Sequence, residues 1–79
     1  MSNKLKYTKD YLIDAGFDDV NKYVIKQTSI SVEVDFDDKD AVDYIMEDIK
    51  KTKYKELFVV DYKKKLKRHT AIFFWLRED

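Results

Sequence analysis

Residues 29–37 read Ser-Ile-Ser-Val-Glu-Val-Asp-Phe-Asp. Ile30, Val32, Val34 and Phe36 alternate with Ser31, Glu33, Asp35 and Asp37, the two-residue period of a strand with one buried and one wet face. Immediately after it the period changes. Val42, Ile45, Met46 and Ile49 recur at three- and four-residue steps and predict a helix over 39–52. Asp37, Asp38 and Asp40 stand at its start and Lys50, Lys51 and Lys53 at its end, each sign matching the helix dipole. A strand leading straight into a helix makes the fold a mixed one, and the rest of the chain is read outward from this unit.

Toward the C-terminus, Leu57-Phe58-Val59-Val60 within 56–62 and Ala71-Ile72-Phe73-Phe74-Trp75-Leu76 within 70–76 are short and rich in β-branched or aromatic residues, as strands are. Residues 63–69 between them read as the ends and tip of an antiparallel hairpin. Toward the N-terminus, Thr8 reads as a helix N-cap with Tyr7 and Leu12 as a hydrophobic staple. Gly16 then reads as the left-handed residue that ends helix 8–15, with Phe17 folding back on Leu12. Asp18 predicts a second short helix, 19–24, with Val20, Tyr23 and Val24 inward. The order α-α-β-α-β-β predicts an α+β fold, a small two-layer sandwich with a three-stranded sheet and helices on one face. Were strands 29–37 and 56–62 parallel in that sheet, the crossover between them should be right-handed. The helix–Gly16-Phe17–helix opening resembles the start of a ubiquitin-associated domain over that stretch alone.

At 79 residues the chain reads as a single domain, 1–79, near the size at which one hydrophobic core barely suffices. An apolar content of 44% is too high for a disordered chain despite 41% charged residues. The absence of cysteine removes any disulfide framework and fits a reducing, cytoplasmic setting. No apolar run approaches the roughly 18 residues of a membrane span, and the polar start does not read as a signal peptide.

A formal net charge of zero conceals a division. Residues 10–48 hold twelve acids against three bases, and residues 49–77 hold ten bases against two acids. Such asymmetry speaks of partners rather than of fold. Lys63, Lys64, Lys65, Lys67, Arg68 and His69 crowd the predicted hairpin tip, and phosphate is the common intracellular counterpart of such a run. Lys50, Lys51, Lys53 and Lys55 extend this patch if the helix end lies beside the hairpin. Tyr62, Phe73, Phe74 and Trp75 are candidates to stack bases, or to form a dimer surface. The last strand is apolar on both parities, with Ala71, Phe73 and Trp75 on one and Ile72, Phe74 and Leu76 on the other. One helical layer covers one side only, so a second copy or a flat apolar ligand is expected on the other, unless the strand is central and residues 1–7 or the short helix 19–24 cover it.

Glu33, Asp35, Asp37, Asp38 and Asp40 form an alternative surface for a basic partner. They are not a calcium loop, because an EF-hand beginning at Glu33 needs Gly and Glu where this chain has Asp38 and Tyr44. A single histidine excludes a paired-histidine nuclease, and a single glycine cannot build a phosphate-cradling loop. Neither a metal site nor a cofactor motif is present, and no enzymatic role is expected. In its abundance of Lys, Asp, Tyr, Ile and Phe the composition is similar to small accessory proteins of AT-rich bacteriophages. That resemblance implies inhibition of a host nuclease, toxin or defence system by binding. Two readings follow. One is a dimeric binder of RNA or single-stranded nucleic acid. The other is an inhibitor or adaptor that docks its acidic half on a basic enzyme.

Overall fold

The expected strand is present as Ser31–Phe36, and it is paired on both sides rather than one. A computed structural model describes residues 3–77, and of these the side chains of Asn21 and Val24 are not described. The elements are α1 (Lys4–Asp14), β1 (Val24–Gln27), β2 (Ser31–Phe36), α2 (Lys39–Asp48), β3 (Phe58–Lys64) and β4 (His69–Trp75). Short 3₁₀ turns lie at Val20–Lys22, Ile49–Lys51 and Lys53–Glu56. The strands form one four-stranded sheet in the order β1-β2-β4-β3, with every neighbouring pair antiparallel. β2 and β3 are therefore parallel to each other, but β4 separates them.

The additional strand corrects the three-stranded expectation. Where a second helix is predicted at 19–24, the chain makes one 3₁₀ turn and enters β1. Four residues hold only two periods of alternation, too few to outweigh a helical reading of Val20, Tyr23 and Val24. Val20 is buried and Tyr23 packs 4.9 Å from Phe36, while the inward placement of Val24 lies outside the described side chains. The likeness to a ubiquitin-associated domain ends with this second helix. Thr28 turns the chain from β1 to β2 without glycine or proline. Its backbone N–H donates to the Ser31 carbonyl at 2.9 Å, and its hydroxyl accepts from Ile30 and Ser31 N–H groups at 3.3 and 3.0 Å. Ile30 thus belongs to the turn and is 61% exposed.

Helix α1 begins four residues before the expected start. Thr8 is not its cap: it is buried, and its hydroxyl donates back to the Lys4 carbonyl at 2.7 Å. The C-terminal end is as expected. Gly16 has φ +98°, and N–H groups of Gly16 and Phe17 donate to the Ile13 and Leu12 carbonyls at 3.1 and 2.8 Å, the Schellman arrangement. In α2, Asp38 caps the helix by accepting the Asp40 N–H at 2.9 Å. The helix is shorter than expected. It ends at Asp48, and 3₁₀ turns carry the chain on to β3, the second of them capped by Thr52.

Register sorts the sheet into two faces. Val32, Val34, Phe36, Ala71, Phe73, Trp75, Phe58, Val60 and Tyr62 face the helices, where Tyr11, Leu12, Val42, Ile45 and Ile49 complete one core. Ser31, Glu33, Asp35, Thr70, Ile72, Phe74, Val59, Asp61 and Lys63 occupy the opposite face, which no helix among the described residues covers. At the free edge of β3, the Asp61 carboxylate accepts the N–H of Tyr62 at 2.8 Å. Two tyrosine–carboxylate pairs clamp the helical layer together: Tyr11 donates to Asp48 at 2.9 Å, and Tyr54 donates to Asp14 at 3.0 Å.

Phe73 and Phe74 are adjacent in sequence and face opposite ways. Phe73→Ala should cost about 3–5 kcal/mol and Phe74→Ala roughly half that or less, read from urea denaturation. The clamps predict alkaline instability. Burial and the Asp14 hydrogen bond raise the Tyr54 hydroxyl from 10.0 to about 12, and burial with Asp48 raises Tyr11 as well. Each proton is held more tightly in the folded state. Stability is therefore full below pH 10.0 and falls as pH rises through about 12. Tyrosinate absorbance at 295 nm and loss of circular dichroism should rise together in that window.

Candidate nucleic-acid interface

The hairpin tip is a four-residue connection, 65–68, closed by the Lys65 N–H donating to the Arg68 carbonyl at 2.9 Å. Strand alternation stops at Lys64, so the tip lysines are not sorted to alternate faces of the sheet. Lys65 instead bends over the uncovered sheet face. Its Nζ lies 3.4 Å from Asp35 Oδ1 and 3.9 Å from Glu33 Oε1. The Thr70 hydroxyl donates to the same Asp35 oxygen at 2.7 Å. Asp35, expected on a wet face, is buried as a result. Its charge is compensated by one ammonium and one hydroxyl, as a carboxylate out of water requires. Arg68 Nη1 approaches Asp37 at 3.4 Å in an exposed pair.

Lys63, Lys64 and Lys67 are exposed and make no ion pair among the described residues. Leu66 projects between Lys65 and Lys67 at 99% exposure. His69 lies at the base of the tip on the helix-facing side. Its Nδ1 is 2.8 Å from the Tyr62 hydroxyl, the two rings stack, and Lys39 stands over Tyr62. This arrangement engages the Tyr62 ring and hydroxyl together, on the sheet face opposite Lys63.

The other expected residues are dispersed. Lys50, Lys51, Lys53 and Lys55 lie in the 3₁₀ turns that lead into Phe58, whereas the tip follows Lys64. Six residue steps of β3 separate these ends, about 20 Å, so the four lysines do not extend the tip's patch. Among the aromatic candidates, Phe73 is wholly buried in the core and has no face to offer a base. Trp75 points to the helix side, stacked on Tyr7 with ring centroids 6.0 Å apart and tilted against Phe58 at 5.3 Å. Phe74 alone of the four stands on the uncovered face. The acidic set is also divided: Glu33 and Asp35 lie under Lys65, Asp38 caps α2, and Asp37 and Asp40 remain exposed.

Trp75 and Lys53 do meet, in a cleft of about 670 Å³ at the end of the sheet opposite the tip. Its other walls bring in Lys6, Tyr7 and Arg77, which sequence reasoning did not single out. For Lys6 the sequence carries the small basic cluster Lys4, Lys6 and Lys9; for Tyr7 and Arg77 as site residues it carries no signal. Among the described residues no group of three His, Cys, Asp or Glu is placed to hold a metal ion, and no helix is long and apolar enough to cross a membrane. Comparison of the chain with protein-family models, curated proteins and solved structures returns no match.

The structure separates a structural lysine from its exposed neighbours. Lys65→Ala leaves Glu33 and Asp35 without a cation and should lower stability by about 1 kcal/mol. Lys64→Ala and Lys67→Ala should change it by less than about 0.5 kcal/mol. Chemical denaturation of the three variants checks the difference.

Proposed function

We propose that this protein is a non-enzymatic binder of RNA or single-stranded nucleic acid that engages the phosphate backbone with its β3–β4 hairpin tip. The observation that carries the reading is the uneven use of the tip's cations. Lys65 is consumed by Asp35 and Glu33, yet among the described residues Lys63, Lys64 and Lys67 have no carboxylate partner, and Arg68 has only an exposed one. Folding accounts for one lysine of the run and leaves the others. Neither α-helix among the described residues carries an Arg or Asn to read a duplex major groove, which favours a flexible single strand. Base stacking at the tip has no support, since Tyr62 is paired with His69 and Phe73 is in the core. Capture there is electrostatic. Phe74 and Val59, opposite one another on the uncovered face, support a homodimer that brings two tips to one strand.

The acidic alternative has narrower support than its sequence suggests, because Glu33 and Asp35 are already engaged. What favours it is α2, whose outer side carries exposed Asp40, Asp43, Tyr44 and Glu47. On that reading the partner is a basic protein, such as a nuclease, toxin or defence enzyme, and the contact lies on the helical layer.

The test is salt dependence. Binding to a single-stranded oligonucleotide should weaken steeply with salt, and Lys63→Ala/Lys64→Ala/Lys67→Ala should flatten the log–log slope by about 2. Lys65→Ala should change affinity less than the triple substitution. A triple variant that binds with wild-type affinity and slope would sink the proposal.

A further inference from the structure

The geometry points to a second ligand site in the cleft between α1 and the start of β3, one that takes a nucleotide with its base against Tyr7 and Trp75 and its phosphate on Lys53 and Arg77. This site stands apart from the tip. At about 670 Å³ the cleft is an open depression with room for a small molecule. One part of its wall is apolar and flat. Tyr7 and Trp75 lie nearly parallel, 15° between ring planes, with Leu57 beside them. Lys6 stands over the Tyr7 ring at 4.9 Å, so a base entering here displaces that ammonium from the tyrosine toward the phosphate. Another part is cationic, where Lys6, Lys53 and Arg77 come together from three separate stretches of the chain.

The acids of the cleft do not cancel that charge. Asp10 is held by Lys6 at 3.1 Å, which leaves Glu56 to face Lys53 and Arg77. An excess of positive charge beside paired aromatic rings matches a ligand that is flat at one end and doubly negative at the other. Aromatic side chains accept any base on its π-face, and the planar guanidinium of Arg77 suits a phosphate with two oxygens presented side by side. An aliphatic carboxylate would use the cations and waste the rings, and an apolar ligand would do the reverse. A nucleotide uses both.

Trp75 is the only tryptophan in the chain, so its fluorescence reports on this site alone. Titration of the full chain with uridine or adenosine 5′-monophosphate should quench that emission saturably. Uridine alone and inorganic phosphate alone should each bind about tenfold more weakly or worse. Lys53→Ala/Arg77→Ala should weaken mononucleotide binding by about tenfold, and Glu56→Gln should strengthen it, a gain that misfolding cannot mimic. The tip variant Lys63→Ala/Lys64→Ala/Lys67→Ala should leave the quench unchanged, so failure at one site is distinguishable from failure at the other. If Lys53→Ala/Arg77→Ala also lowers oligonucleotide affinity, the nucleotide belongs to a bound strand. If oligonucleotide affinity is unchanged, the ligand is a free nucleotide. No saturable quench at millimolar mononucleotide, or a quench that survives the double substitution, overturns the assignment.

Discussion

A carboxylate beneath a lysine joins the two oppositely charged halves of this chain. Asp35 lies on the sheet face that no helix covers, where an acid would ordinarily be hydrated. The Thr70 hydroxyl and the Lys65 ammonium enclose it instead. The contact fixes three things together. It holds β2 in register with β4, it draws the hairpin tip down over the sheet, and it removes Lys65 from the set of cations available to a partner. A pair this secluded yields little net stability, because desolvation of both charges opposes their attraction. Its effect is on arrangement, since the tip has one lysine anchored and its neighbours turned outward.

Much of this fold is visible in the sequence, and the parts that are not share a cause. The alternation of Val32, Val34 and Phe36, the helical stripe Val42–Ile45–Ile49 and the Gly16 helix end are local patterns, and each reappears in the structure, whereas Ile30 falls in the turn. Local pattern also gives the hairpin. It fails at β1, where four residues carry too little periodicity, and at Thr8, whose hydroxyl serves the helix interior rather than its start. The sites are less legible than the fold. Alternation assigns Asp35 to a face but says nothing about which side chain will close over that face. The cleft is the extreme case: Tyr7, Lys53 and Arg77 are far apart in sequence, and only the packing of α1 beside β4 brings them together.

Charge distribution is better explained at the level of contacts than of blocks. Asp38 and Lys39 act within α2, Lys6 with Asp10, and Lys65 with Asp35, so much of the segregated charge is used inside the molecule. Of the remainder, separate groups stand at the hairpin tip, in the cleft and along the outer side of α2, with further lysines in the turns at 49–56. These are distinct regions with distinct chemistry, and a net charge near zero describes none of them.

The Asp61–Tyr62 contact governs how such a molecule can grow. A seven-residue strand at the margin of a sheet ordinarily invites another strand to add to it. Here a side chain already fills the position that an incoming carbonyl would take, near the middle of that margin. Proline is the usual obstruction at such a place, and this chain has none. The margin at β3 is thereby made a poorer template for an added strand, and the opposite margin, β1, is only four residues long.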